Sequence, residues 1–155
     1  MTRPLDGIRV LDWTIFQQGP VATAMLADLG ADVIKIEHRT EGDPARGMMK
    51  MIGTIVGGGV GRNPYYENNN RGKRCITIDL GKQEGKELIY KLVEKSDVFV
   101  QNFRMGVAER MGLDYETLKK HNPKLIYAHA SGWGPKGPDA SDPSADYTGV
   151  ARSGI

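Results

Sequence analysis

Apolar positions along the chain alternate between two spacings. Ile8–Trp13 (IRVLDW) is a short, β-branched apolar run and predicts a buried strand. Gln17-Gln18-Gly19-Pro20 interrupts it, and Pro20 suits the first turn of a helix. Val21, Ala22, Met25, Leu26 and Leu29 then recur at helical spacing, and Gly30 stands where a left-handed residue closes a helix. Ala31–Glu37 (ADVIKIE) predicts a second strand, so this opening is a strand–helix–strand unit with parallel strands. The alternation resumes with a strand over Arg74–Leu80. A helix over Lys82–Lys95 follows, with Gly85, Leu88, Ile89, Leu92 and Val93 on one face. Asp97–Val100 and Leu125–Ala130 predict two more strands, separated by short helical turns at Val107–Met111 and Tyr115–Lys120. Gly149–Ile155 reads as the start of a further element. Five strands alternating with helices predict a doubly wound α/β sheet.

Residues 38–72 break the rhythm. His38–Gly47 is polar and turn-rich, Met48–Gly61 holds three methionines and a glycine run (Gly57, Gly58, Gly59, Gly61), and Asn68-Asn69-Asn70 is a polar tract. So long a loop inside a compact domain is expected to be functional or built against another chain.

Composition narrows the function classes. The 155 residues are one domain's worth of chain, 39% hydrophobic and 26% charged, with a mean hydropathy of −0.42. That is the composition of a folded globular protein. Twenty-one Lys and Arg against 19 Asp and Glu leave a net charge of +2, which gives no electrostatic case for nucleic acid or an anionic membrane. The 20 glycines imply many tight turns and close backbone approaches. The single cysteine, Cys75, excludes an internal disulfide and a multi-cysteine metal site, and three scattered histidines offer no zinc spacing. No apolar run approaches the roughly 20 residues of a membrane span. The expectation is a cytoplasmic protein with no metal site and no nucleic-acid or membrane partner.

In open α/β sheets, ligands bind beyond the carboxyl ends of the strands. The residues placed there are Thr14–Gln18, then His38, Arg39 and Arg46, then Gln101–Arg104, then Ser131–Gly134. Amides, an aromatic ring and several arginines at one edge suit a ligand with an adenine ring and phosphates. Gly132-Trp-Gly134-Pro-Lys-Gly137 matches G-x-G-x-x-G formally, but Pro135 and Pro138 remove donors and no helical pattern follows, which argues against nicotinamide binding. Gly57–Gly61 fails the same pattern, and there is no phosphate-binding P-loop motif. Cys75 lies inside a strand pattern and reads as a small buried apolar residue. Asp12 and Asp79 read as buried, hydrogen-bonded structural carboxylates, His121 as a helix-end residue and His129 as a strand residue. Asp146 is the best-placed loop carboxylate, with a capping role as its alternative. The residues thus present a ligand edge and no catalytic group.

An ordered series of motifs resembles the N-terminal part of the class III CoA-transferase family, which includes formyl-CoA:oxalate and carnitine-type CoA-transferases and α-methylacyl-CoA racemases. The series opens with Asp6-Gly-Ile-Arg-Val-Leu-Asp12, Gly19-Pro20 and Leu26-Ala-Asp-Leu-Gly-Ala-Asp-Val-Ile-Lys-Ile-Glu37. It continues through Gly42-Asp43 with Arg46, Asn70-Arg-Gly-Lys-Arg74, and Asp97-Val-Phe-Val-Gln-Asn-Phe103. Gly106-Val with Arg110-Met-Gly-Leu113 follows, then Asn122-Pro, Ser131-Gly-Trp-Gly-Pro-Lys-Gly-Pro138, Asp146 and Ser153-Gly154.

The resemblance implies a Rossmann-like domain with coenzyme A or acyl-CoA as a substrate rather than a resident cofactor. It places CoA contacts at Phe16, Gln17, Gln18, His38, Arg39, Ile78, Asn102, Phe103, Arg110 and Met111. Residues 1–155 would be the N-terminal part of the large CoA-binding domain. A second domain and a nucleophilic aspartate would lie beyond Ile155, so no catalytic residue falls within the chain. That aspartate would carry CoA transfer between an acyl-CoA donor and a carboxylic acid through a covalent intermediate. Backbone N–H groups of glycine-rich loops would stabilise the oxyanion. Racemases of the family use a His just before the aspartate at position 146; here that position is Ala145, which favours transfer over racemisation. A non-catalytic CoA-binding module is the alternative from another class. Family members are homodimers of interlocked chains, which would account for the long 38–72 segment and would leave a 155-residue piece alone with a poorly buried core.

Overall fold

In the computed structural model, residues 2–47, 50–51, 54–55 and 63–154 are described. The glycine run at 57–61 and two of the three methionines, Met48 and Met49, lie outside them. Among the described residues, seven strands and six helices follow one another: β1 (Arg9–Trp13), α1 (Gln18–Asp28), β2 (Asp32–His38), a 3-10 turn (Pro44–Gly47), β3 (Lys50–Met51), β4 (Thr54–Ile55), α2 (Pro64–Asn69), β5 (Arg74–Ile78), α3 (Gln83–Val93), β6 (Val98–Gln101), α4 (Val107–Met111), α5 (Tyr115–Leu118), β7 (Ile126–His129) and α6 (Asp146–Ser153). Five strands form one sheet in the order β5-β2-β1-β6-β7, and every pairing in it is parallel. The chain winds from β1 outward to β5, then crosses back to β6 and β7. The winding reverses between β1 and β6, where a doubly wound sheet opens a crevice.

Strand alternation sends Leu11, Trp13, Ile34, Ile36 and Phe99 to one face, where they pack with Ile89 and Val93 of α3, Ala108 of α4 and Leu118 of α5. Val10, Val33 and Val100 point to the other face, against Ala27 and the half-buried Leu26 of α1. Helices therefore cover both faces, as the alternation of periods predicts. The buried positions of α1 are small (Gly19, Pro20, Thr23, Ala24, Ala27), which brings this helix close to the sheet. Gly30, at φ +109°, ends it. In α3 the buried positions are Gly85, Ile89 and Val93, one helical ridge, whereas Leu88 is exposed.

Four expectations are corrected. The 38–72 segment contains a helix: Asn63 caps α2 by accepting the Tyr66 N–H at 3.2 Å, and Pro64 occupies its first turn. Cys75 is exposed, because β5 is an edge strand and position 75 falls on the α1 face, where α1 does not cover it. Asp79 lies just past β5, half-buried, and its Oδ1 accepts the Gly81 N–H in a turn. The last element begins at Asp146, and Ala145 holds the capping position ahead of it. No described helix is long and apolar enough to cross a membrane.

Candidate functional site

A cleft of about 410 Å³ opens at the carboxyl ends of β1, β2, β5 and β6. Its lining is apolar on the α3 face: Trp13, Ile36, Ile78, Leu80, Phe103, and Val107 with Met111 of α4. The Trp13 and Phe103 rings lie 4.3 Å apart, tilted by 37°, and give the cleft an aromatic wall. The rest of the lining is polar: His38, Glu41 and Asp79, with the almost fully buried Thr14 and Asp43. An apolar pocket with a few convergent polar groups at the switch point is the form a small-molecule site takes. A second hollow of about 310 Å³ adjoins it through Ile78 and Asp79, beside Arg39, Lys82 and the first turn of α3.

The expected contacts divide among these places. His38, Ile78, Phe103 and Met111 line the cleft, and Arg39 lines the adjoining hollow with Ile78. Phe16, Gln17 and Gln18 are exposed where the chain passes from β1 into α1, directly after Ile15 on the cleft wall. Asn102 lies between Ile15 and Phe103 and bonds both backbone polar groups of Ile15. Arg110 is exposed on α4 next to Met111 and lines neither hollow. Arg46 is committed elsewhere: it grips Glu37 through two nitrogens, at 2.8 and 2.9 Å, and lies over the Tyr66 ring.

Beneath the cleft, on the α1 face, the sheet carries a charged cluster of which the sequence reading anticipated only Asp12, as a buried, hydrogen-bonded carboxylate. The Asp12 carboxylate accepts from Thr14, from Thr23 at 2.7 Å and from Lys73 at 2.8 Å. Lys73 spends its other donors on Pro20 O and Asn70 Oδ1, so the buried ammonium is fully used. Lys35 donates to Thr14 O at 2.8 Å and meets Asp43 Oδ2 at 2.9 Å as an ion pair. The other oxygen of Asp43 accepts the Phe16 and Ala45 N–H groups. Glu37 takes Arg46, the Tyr66 hydroxyl and the Asp43 N–H. Three carboxylates face three cations, so the cluster is neutral, which is how buried charge is tolerated. Burial opposes the charged form of Glu37, yet the donors from Arg46, Tyr66 and Cys75 overcome it and hold its pKa at about 2. Burial and the Glu37 carboxylate together push the Cys75 thiol up to about 11. The signal for this cluster was the charged-apolar alternation Ile34-Lys35-Ile36-Glu37 inside a strand buried on both faces.

The turn leaving β1 is strained. Phe16 has φ +64°, the only positive value at a non-glycine position among the described residues, and its side chain is 43% exposed. Gly19 lets α1 start this close to the strand: a Cβ there would sit 2.5 Å from Thr14 Cβ.

Comparison with known proteins fits this architecture. The model of CoA-transferase family III matches residues 5–155. The probable fatty acyl-CoA transferase Rv3272 of Mycobacterium tuberculosis is 39% identical over 99% of the chain and 38% of its own length. An acetyl-CoA:oxalate CoA-transferase of Acetobacter aceti and a succinate–glutarate CoA-transferase of Agrobacterium fabrum are each 42% identical over 98% of the chain, and over 37% and 38% of their own lengths. The crystal structure of Rv3272 in its orthorhombic form superposes with a TM-score of 0.86 at 39% identity, over 99% of this chain and 41% of that one. A CAIB/BAIF family protein from Brucella suis superposes at 0.87, also at 39% identity, over the whole of this chain and 40% of that one. The chain spans under two-fifths of the length of these curated relatives. A switch-point cleft in a parallel sheet of order β5-β2-β1-β6-β7, matched along nearly every residue, makes the chain a member of CoA-transferase family III.

Proposed function

We propose that this chain supplies part of the CoA site of an enzyme that moves CoA from an acyl-CoA to a carboxylic acid. The observation that carries the reading is the pairing of the apolar switch-point cleft with the polar hollow beside it, where Arg39 and Lys82 stand among Asp79 and Glu84. The cleft accommodates the flat adenine or the thin pantetheine arm against Trp13, Phe103 and Met111. Arg39 and Lys82 offer charge-assisted donors to phosphate. Phe16, Gln17 and Gln18 stand where the thioester end would emerge.

The reacting carboxylate comes from outside these residues. It attacks the thioester carbonyl and expels CoA thiolate, leaving an acyl–aspartyl anhydride. The thiolate attacks the aspartyl carbonyl, releasing the donor acid and forming an aspartyl-CoA thioester. The acceptor carboxylate attacks that thioester, and the thiolate set free then takes the acceptor acyl group, restoring the aspartate. The role of this chain is to hold CoA while its thiolate waits between steps. Ala145 offers no imidazole for proton abstraction, which supports transfer over racemisation. An interlocked homodimer is the assembly we propose. The exposed outer side of β7, where Ile126 is 63% exposed, is a surface such packing would cover.

Calorimetric titration of the protein with CoA and with dephospho-CoA tests the reading. Binding of CoA, weakened by Arg39→Ala and by Arg110→Ala by about 1–3 kcal/mol each, is the expected result. Equal affinity in all three proteins would remove both arginines from the site, and no binding at all would end the proposal.

A further inference from the structure

The turn after β1 is held at consecutive backbone groups by side chains from four different places. Lys35 of β2 takes Thr14 O; Asn102, past β6, takes both the Ile15 N–H at 2.9 Å and Ile15 O at 2.8 Å. Asp43, in the turn after β2, accepts the Phe16 N–H at 3.1 Å, and Asn69 of α2 reaches Phe16 O at 3.5 Å. A bulky residue held in the left-handed region persists only where its surroundings over-determine it. This turn meets that condition, and it lies on the cleft wall.

The carboxamide of Asn102 is engaged at both ends. Its oxygen receives Ile15 and its nitrogen donates to Ile15, so it is oriented toward the β1 turn. We infer that Asn102 is a positioning residue rather than a ligand contact. It clamps Ile15, and together with Asp43, which accepts the N–H of the same Ile15–Phe16 peptide, it fixes the backbone that carries the exposed Phe16 ring next to Ile15 on the cleft wall. The inference rests on the reading of that cleft as a CoA site.

A double-mutant cycle separates the two roles. CoA titrations are run on the protein, on Asn102→Ala, on Phe16→Gly and on the double variant, with hydrogen exchange followed at the Phe16 amide. If Asn102 acts through the turn, its removal weakens CoA at least tenfold in the parent. The loss is less than threefold once Phe16 is glycine, because no ring remains to be placed. The Phe16 amide, which Asn102 does not touch, exchanges at least tenfold faster in Asn102→Ala. An equal loss in both backgrounds would assign Asn102 to the ligand and overturn the inference, as would unchanged affinity in the parent. Should Asn102→Ala fail to fold, Asn102→Asp keeps the acceptor for Ile15 N–H, loses the donor to Ile15 O, and carries the same cycle. If the parent binds no CoA, the reading of the cleft fails on its own. Phe16 exchange then decides: faster exchange in the variant upholds the clamp, and unchanged exchange overturns it.

Discussion

The Lys35 ammonium lies 2.9 Å from the Asp43 carboxylate, and both side chains are almost fully buried, at 1% and 0% exposure. Such a pair adds little over a well-packed apolar pair, but breaking it strands a charge. Lys35→Met leaves Asp43 buried without its cation and is expected to cost about 3–5 kcal/mol in urea unfolding. By contrast, Arg71→Ala removes the exposed pair with Asp28 and should cost no more than about 1 kcal/mol. Similar losses for the two variants would refute the assignment.

Glu37 gives the protein an acid limb. Its folded pKa of about 2 lies below its ordinary value of 4.5, so its contribution is complete above 4.5. That contribution drains away as pH falls from 4.5 toward 2. Glu37→Gln should flatten the dependence of stability on pH across that window. An unchanged slope in the variant would mean that Glu37 is not the group responsible.

Cys75 is exposed, yet its thiol is expected to react slowly near neutral pH. Its thiol is pushed up to about 11 by burial of the sulfur against Glu37 and by that carboxylate's charge, so little thiolate exists near neutral pH. Alkylation by iodoacetamide should rise with pH to a midpoint near 11, and Glu37→Gln should bring that midpoint down. A midpoint at or below the ordinary 9.0 in the parent protein contradicts this account.

Gly19→Ala tests the close approach of α1. The added methyl meets Thr14, itself only 1% exposed and held by Asp12, so neither side can yield freely. A loss of about 1–3 kcal/mol is expected, together with altered resonances through Thr14–Gln17. Gly149→Ala, where a methyl meets open space inside α6, should be neutral or stabilising by up to about 1 kcal/mol. Equal effects at the two positions would show that the approach is not tight.

The alternation of periods made the parallel sheet and its flanking helices legible, because a strand buried on both faces and a helix buried on one leave different spacings. The same reasoning hid the ionic cluster. Lys35 and Glu37 occupy strand positions that read as interior, and their partners Asp43, Arg46 and Tyr66 arrive from a segment with no periodicity. The capping pair Asn63-Pro64 marked α2 in the sequence, but the asparagine tract after it looked like a loop. Cys75 was misread because an edge strand shares the composition of a central one, and only the strand order distinguishes them. The cleft's location was legible from strand ends. The commitment of Asn102 to Ile15 was not, because nothing in the sequence shows which way a side-chain amide turns.

On the α1 face the sheet divides along its strands: valines in register at 10, 33 and 98, then ionised groups at 12, 35 and 37 nearer the ligand edge, with Val100 level with Asp12. The two zones respond to different perturbations. Cooling weakens the oily zone, whereas burial protects the ionic zone from salt screening and heating lowers the cost of keeping its charges dry. The rim that would grip a nucleotide is therefore tied to the portion of the sheet that temperature and ionic strength loosen least, and its shape should outlast the first softening of the core.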